Sequence, residues 1–266
     1  RVWDTNSFFQ GSFVKEVNDQ FKTQVNAKYA FYRTHYVNND DKLIEVDNLY
    51  KQREVYVSTA NMYTIFPFWD VSMSYDFQWN EMKADMYGFV FPARFTNLLS
   101  IATALRLGKV KLQGSGLATF VNDRVKEGPA PKARQILTPA VFLSYKPFDK
   151  HDFSLRAFYK KTFRMPTFND LYYADMGNSK LDPEYVTQYN LGTVYQKQWG
   201  NKLFRHFKIQ ADGYYNYVKD KIIAYPKGQQ FRWTMLNLGK VKIRGVDIST
   251  ETMINPWKDL FITMKV

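Results

Sequence analysis

Oxygen-bearing side chains are concentrated in one loop of the sequence, where they could bind a metal ion. Residues 38–41 read Asn-Asn-Asp-Asp, and Glu45 and Asp47 follow shortly after. Carboxylate and amide oxygens are the ligands that Ca²⁺ takes in proteins. The residues lack the regular spacing of a calcium-binding loop, so a solvated polar loop is the alternative interpretation.

A second group of residues could contact a bulky ligand through aromatic rings. These residues lie in or beside long polar loops and are Tyr172, Tyr173, Tyr225, Phe231 and Trp233. Aromatic side chains supply large contact areas at binding surfaces. They are also typical of the girdles that flank the apolar band of a membrane protein, and that interpretation requires no ligand.

The sequence carries no recognisable catalytic constellation. It contains no Cys, which excludes disulfides, thiolate metal sites and cysteine nucleophiles, and its three histidines, His35, His151 and His206, are far apart. No Gly-rich phosphate loop, zinc signature or Ser/His/Asp arrangement is present. We therefore predict no catalytic residues, no cofactor and, apart from the calcium alternative, no metal site.

The positive charge of the chain is scattered along it. Lys and Arg number 37 against 25 Asp and Glu, which gives a net charge of +12. A nucleic-acid-binding surface needs basic residues clustered along a phosphate track, and no such cluster occurs. The sequence therefore predicts no nucleic-acid partner.

The elements that must position these residues are β-strands, because apolar and polar residues alternate along most of the chain. Val71, Met73 and Tyr75 alternate with Ser72 and Ser74, for example. No apolar run is long enough for a membrane helix, and helix is nearly absent. The pattern predicts twelve strands, near residues 7–17, 21–35, 52–64, 70–80, 94–107, 109–123, 135–146, 152–163, 185–198, 203–221, 232–254 and 259–266.

The length and connections of these strands favour a membrane barrel over a soluble sandwich. Several strands exceed ten residues, whereas a soluble strand averages about five or six. Short turns alternate with long polar loops, as in an all-β, antiparallel up-and-down transmembrane β-barrel. The apolar faces of the strands at Phe21, Val71 and Phe207 also carry no charge until their ends, as lipid requires, because a Lys or Arg at the bilayer midplane costs about 2–4 kcal/mol. In the strand at 232–254 the apolar parity changes near Gly245, which predicts a bulge or a misplaced boundary there.

Two stretches of the sequence resemble the late-barrel motifs of TonB-dependent outer-membrane receptors. The first runs from Thr162 to Glu184, and the second from Trp233 to Asp247. The residues that take the motif positions are Phe163, Arg164, Pro166, Phe168, Asp170, Leu171, Gly177, Asn178, Leu181, Pro183, Glu184, Asn237, Gly239, Gly245, Val246 and Asp247. Pro166 and Pro183 fix the backbone at the two ends of the loop, which predicts a rigid scaffold at the barrel rim.

The resemblance implies an active transporter. Residues 1–266 would form part of its barrel domain, about 12 of about 22 strands, without the plug domain or the closing strands. The expected activity is binding and import of a large scarce nutrient: a ferric siderophore, cobalamin, heme or an oligosaccharide. The implied partners are the TonB energy-transducing protein, acting through the plug, together with outer-membrane lipid and lipopolysaccharide. The implied location is the outer membrane of a Gram-negative bacterium.

The sequence departs from the heme-uptake members of that family. Met165 stands where they carry Ala, residues 177–181 replace their Asn-Pro box, and only His35 lies near a long loop as a candidate heme ligand. Two other function classes stay open. A passive outer-membrane porin would lack the plug, and a soluble carbohydrate-binding β-protein would need no detergent.

Overall fold

The strands form one continuous antiparallel meander. The structure is a computed structural model that describes residues 1–38, 46–128, 130–173, 176–200, 203–227, 232–257 and 260–266. The elements are β1 (Val2–Glu16), β2 (Phe21–Asn38), β3 (Val46–Phe66), β4 (Trp69–Ala84), β5 (Ala93–Leu107), β6 (Val110–Arg124), β7 (Arg134–Tyr145), β8 (Asp152–Arg164), α1 (Phe168–Tyr172), β9 (Glu184–Gln198), β10 (Phe204–Lys227), β11 (Arg232–Trp257) and β12 (Leu260–Lys265). Each strand pairs with its sequence neighbours, so the twelve-stranded antiparallel architecture is confirmed.

Several strands extend further toward the long loops than the alternation indicates. β10 continues to Lys227 and β11 begins at Arg232, so this hairpin projects beyond β9. Residues 222–225 of β10 read Ile-Ile-Ala-Tyr and have no alternation. One face of the hairpin carries the apolar Ile222, which is buried under the preceding loop, while Ala224 and Tyr225 are exposed. Sequence periodicity therefore marks the strand only while one face is apolar and the other polar.

The bulge predicted near Gly245 is wrong. The pairing of β10 with β11 runs without a shift from His206 opposite Met253 to Lys227 opposite Arg232, and it places Gly245 opposite Tyr214. The change of parity has another cause. Along one face of β11, Lys240, Lys242 and Arg244 are followed by Val246 and Ile248, so that face changes from basic to apolar.

The two faces of the sheet differ in chemistry. The face carrying Asn26 and Ser58, which we call the polar face, has cross-strand hydrogen bonds such as Asn26 Nδ2 to Ser58 Oγ at 3.0 Å. The opposite face, which we call the apolar face, exposes Phe9, Leu191 and Val246. Such a division is typical of a barrel wall between a wet interior and lipid.

One ion pair on the polar face spans three strands. Arg156 of β8, Gly192 of β9 and Asp212 of β10 are aligned by their register. The Arg156 guanidinium reaches over Gly192 to both carboxylate oxygens of Asp212 at 3.2 Å. A Cβ atom on residue 192 would overlap the Asp212 carboxylate. The missing side chain of Gly192 is what leaves room for the pair.

Candidate ligand-facing loop site

The loop between β8 and β9 begins with a short helix that is capped at its start. Thr167 is the N-cap of α1, and its hydroxyl accepts a hydrogen bond from Asp170 N at 3.1 Å. The Asp170 carboxylate accepts from Thr167 N at 2.9 Å, which completes a capping box. The same carboxylate contacts Arg164 at 2.8 Å. Hydrogen bonds and an ion pair among Arg164, Thr167 and Asp170 thus stabilise the start of the loop.

A buried arginine fastens the start of this loop to the sheet. Arg94 of β5 binds both Asp123 carboxylate oxygens of β6 at 2.7 Å and donates to Pro166 O, also at 2.7 Å. Its guanidinium lies 5.3 Å from the centre of the Phe168 ring. Asp123 is almost fully buried, and removing one partner of such a pair costs roughly 3–5 kcal/mol. Arg94 therefore positions the first half of the loop.

The second half of the loop is fastened to the β10–β11 hairpin. Asn178 Nδ2 donates to Met235 O at 2.9 Å. Asn237 Oδ1 accepts from Asp182 N at 2.8 Å, while its Nδ2 donates to Asp182 O at 2.9 Å and Asp220 O at 2.7 Å. Glu184 accepts from Ile222 N at 3.1 Å. These bonds bring the two motif stretches of the sequence into direct contact.

Apolar residues also pack where the loop contacts the β10–β11 hairpin. Leu171, Leu181 and Ile222 form a buried cluster against which Tyr172 and Met235 pack. Pro166 and Pro183 are fully buried at the two ends of the loop. The rigid scaffold predicted for these motif residues stays a prediction, and the packing supplies a physical basis for it.

Three motif glycines occupy positions where a side chain is unfavourable. A Cβ atom on Gly177 would lie 2.7 Å from the backbone of Leu171 and Tyr172. Gly239 has a φ of +46°. It lies across the hairpin from Asp220, whose φ is +55°. A Cβ atom on Gly245 would overlap the Tyr214 hydroxyl. Glycine is favoured at these sites, by close approach to backbone at 177, by close approach to the Tyr214 side chain at 245 and by the left-handed backbone at 239.

The four described members of the predicted aromatic rim do not form one surface. Tyr173 stacks on Tyr50 with ring centres 5.3 Å apart. Tyr225 and Trp233 are both about half exposed, but the register places them on opposite faces of the hairpin. Phe231 lies outside the described residues. A ligand above the loop end would therefore meet Tyr225 or Trp233 separately.

Tyr172 is the most deeply placed of the loop tyrosines. Its hydroxyl is buried and has no hydrogen-bond partner among the described residues. Burial, together with the nearby Asp123 carboxylate, raises the pKa of Tyr172 to about 12. The ring therefore packs as an apolar group at neutral pH.

A cavity lined by both polar and apolar residues lies between the loop and the sheet. It has a volume of about 310 Å³, and its lining includes Gln52, Gln78, Asn80 and Arg94. The Thr119 hydroxyl, which also belongs to the lining, is fully buried without a hydrogen-bond partner in the described part of the chain. The cavity can accommodate polar groups by hydrogen bonding, and its residues offer no nucleophile paired with a base.

The residues considered for metal or heme binding are not gathered into a described site. His35 Nε2 lies 2.6 Å from Asp47 Oδ1, next to the Trp3 ring. Residues 39–45 of the acidic loop lie outside the described residues. Among the residues that are described, no group of three or more His, Asp or Glu side chains has the geometry to hold a metal ion.

Arg94 and Asp123 are the site residues that the sequence pattern missed. They are 29 positions apart and meet only because β5 and β6 pair Arg94 with Asp123. The Thr167-x-x-Asp170 spacing is a capping-box signal that could have located α1. Within the described segments, no helix has the length and apolar character needed to cross a membrane.

Comparison with known proteins gives a consistent result. A family model described as "TonB dependent receptor-like, beta-barrel" matches residues 2–264. The vitamin B12 transporter BtuB of Vibrio vulnificus (strain YJ016) is 34% identical over 87 residues, which are 32% of this chain and 13% of that protein.

Solved structures share the fold at low identity. The copper transporter OprC superposes with a TM-score of 0.76 at 16% identity, covering 94% of this chain and 44% of that one. The FrpB iron transporter from Neisseria meningitidis (F3-3 variant) gives a TM-score of 0.70 at 13% identity, covering 93% and 41%. The chain thus spans less than half the length of these proteins.

Proposed function

The chain belongs to the family of TonB-dependent receptor-like β-barrels, and from this membership we propose that it is part of an outer-membrane receptor that imports a large scarce nutrient. The candidate nutrients are a ferric siderophore, cobalamin, heme or an oligosaccharide. Energy would come from the TonB system, acting through a plug domain in the barrel interior. The location would be the outer membrane of a Gram-negative bacterium.

The observation that carries this proposal is the fastening of the 165–183 loop at the long-loop end of the sheet. Arg94 holds one end of the loop, and Asn237 holds the other. A receptor benefits from such an arrangement, because a loop fixed before the ligand arrives loses less conformational entropy on binding.

Cobalamin is the first ligand to test, because the relative BtuB is a vitamin B12 transporter. The measurement is equilibrium binding of cyanocobalamin to the purified protein in detergent, with a ferric siderophore and heme as parallel ligands. Uptake is then compared in cells with and without TonB. Saturable binding with TonB-dependent uptake supports the proposal, whereas uptake that is unsaturable and independent of TonB supports the porin.

The exposed aromatic residues allow the ligand-contact role to be tested. Trp233→Ala and Tyr225→Ala should weaken binding if either ring contacts the ligand, since an aromatic hot spot contributes roughly 2 kcal/mol or more. Trp257→Ala is the matched control, because Trp257 is also an exposed aromatic residue but lies next to the β11–β12 turn at the opposite end. Equal loss in all three variants would indicate a folding defect.

A further inference from the structure

The cavity under the 165–183 loop lies on the polar face of four consecutive strands, β3 to β6. The strand residues that line it with uncharged hydrogen-bonding side chains include Gln52, Gln78, Thr96 and Thr119. Thr119 lies in the same lateral row as Ser58 of the polar face. The start of the loop covers the cavity with Met165. The cavity is therefore enclosed between the interior face of the sheet and a loop that is fastened to it.

Several polar groups of this lining are free to bind a ligand. The side-chain amides of Gln52 and Gln78 and the hydroxyl of Thr96 make no hydrogen bond to any described residue. The Thr119 hydroxyl is likewise unpartnered in the described segments, although only 1% of the Thr119 surface is exposed. A buried hydroxyl without a partner is unfavourable, so a ligand group that binds it removes a cost already present in the free protein.

The charged groups at the edge of the cavity are already paired. Arg94 binds both carboxylate oxygens of Asp123 at 2.7 Å. In the same lateral row, Glu54 accepts from Lys28 Nζ at 2.9 Å and from Asn80 Nδ2 at 3.3 Å. An ionic ligand would thus find no unpaired countercharge among the described lining residues, and burying a charge without a partner is costly. The lining therefore favours an uncharged ligand.

Amides beside apolar walls suit a ligand that is rich in hydroxyl groups and also has C–H surface. A Gln side chain both donates and accepts hydrogen bonds, and a hydroxyl group does the same, so the two can pair in either direction. Leu98 and Met165 contribute apolar walls against which the C–H groups of a sugar ring can pack.

The size of the cavity limits how much of a ligand it can hold. Its volume is about 310 Å³, which is at the lower end of the range of roughly 300–1,000 Å³ that is typical of ligand pockets. A cavity of this size takes one ring with its substituents, and the remainder of a large nutrient would extend away from the wall into the barrel interior.

We propose that this cavity binds one uncharged sugar residue, whose hydroxyls pair with Gln52, Gln78 and Thr119 and whose C–H face packs against Leu98 and Met165. The inference rests on the proposed function and adds the substrate class: the imported nutrient carries a neutral sugar. Carboxylate groups are rejected by this cavity, because they would lose water there without gaining a countercharge.

The test measures binding of neutral methyl glycosides to the purified protein in detergent, by saturation-transfer NMR. The probes are methyl glucoside and its galacto and manno epimers, and the matched charged ligands are the corresponding uronic acids and amino sugars. We expect saturable binding of at least one neutral glycoside and at least about tenfold weaker binding of its charged analogues.

A double variant removes the two amides. Gln52→Leu combined with Gln78→Leu should weaken binding of the neutral glycoside by about tenfold or more, because at least two hydrogen bonds to the ligand are lost. The matched control is Gln188→Leu, which makes the same exchange on the polar face of β9 but outside the cavity. This control should bind as the wild type does.

Thr119→Val separates ligand binding from stability. Because the Thr119 hydroxyl has no partner among the described residues, its loss should leave thermal stability unchanged or higher, while binding of the glycoside weakens by roughly fivefold. The proposal is overturned if no neutral glycoside binds saturably, or if a charged analogue binds more tightly. It is also overturned if the double Leu variant binds normally or loses no more than Gln188→Leu. Neither TonB nor uptake enters this measurement, so its failure is distinguishable from a failure of import.

Discussion

Asn237 is the residue whose removal should most directly release the 165–183 loop. Its side chain makes three hydrogen bonds, two to the backbone of Asp182 and one to the backbone of Asp220. A hydrogen bond contributes about 0.5–1.5 kcal/mol net to stability, and a bond that is less shielded from solvent contributes less. Because Asp182 is exposed, we take the lower part of this range and expect Asn237→Ala to lower the free energy of loop opening by about 2 kcal/mol.

Amide hydrogen exchange of the loop provides the assay. A loss of about 2 kcal/mol corresponds to roughly 30-fold faster exchange at amides protected only by the closed loop. The Asp182 amide should respond most strongly, because it donates directly to Asn237. Asn237→Asp keeps the acceptor but places a carboxylate oxygen against the carbonyls of Asp182 and Asp220, so it should speed exchange at least as much as Asn237→Ala.

The control variant is Asn216→Ala on the polar face of β10, a position that makes no side-chain hydrogen bond within the described residues. The strands themselves should exchange at wild-type rates in every variant, since their ladder is unaffected. If the Asp182 amide exchanges equally fast in wild type and Asn237→Ala, these hydrogen bonds do not hold the loop and the reasoning is refuted.

Three further predictions concern the loop and the two faces. Gly177→Ala should destabilise the closed loop by about 1–3 kcal/mol through overpacking. Gly200→Ala is the control, because the space around Gly200 is open and no destabilisation is expected. Limited proteolysis of the loop compares the two variants, and equal cleavage rates would contradict the steric argument. The loop should open more readily as pH rises above 10, because the raised pKa of Tyr172, about 12, means that the open state loses its proton first. Burial also raises the pKa of Tyr173 and Tyr50, which stack on each other at the same loop, so Tyr172→Phe should reduce this step and Tyr172→Phe combined with Tyr173→Phe should reduce it further; a step of unchanged size in the double variant would contradict the argument. Spin labels at Met73 and Ser74 should respond to a lipid-soluble and a water-soluble quencher respectively, and reversed accessibility would show that the two faces are misassigned.

The strands could be predicted from the sequence because their physical cause is local. Each strand separates a polar medium from an apolar one, so alternation such as that from Val71 to Tyr75 appears directly in the residue order. The prediction fails where that separation ends. Residues 222–225 lie in a hairpin where the loop buries the apolar Ile222 on the face that is otherwise polar. The apparent change of parity at Gly245 records only the level at which basic residues give way to apolar ones.

The contacts of the candidate site could be predicted only in part. The motif residues lie in the loop whose contacts the structure describes, and Thr167 and Asp170 carry a visible capping signal. Arg94 and Asp123 could not be found, because their contact depends on the pairing of two strands, and many strand charges have the same local context. The separation of Tyr225 from Trp233 likewise follows from register across the hairpin, which residue order alone does not reveal.

The ion pair that spans β8 to β10 also constrains how the sequence can evolve. Any side chain at position 192 collides with the Asp212 carboxylate while Arg156 holds it in place. A substitution at Gly192 is therefore tolerated only after the pair has been lost, and the pair can arise only in a background with glycine at 192. Positions 156, 192 and 212 should consequently change together among homologues, and the order of those changes should be recoverable from reconstructed ancestors.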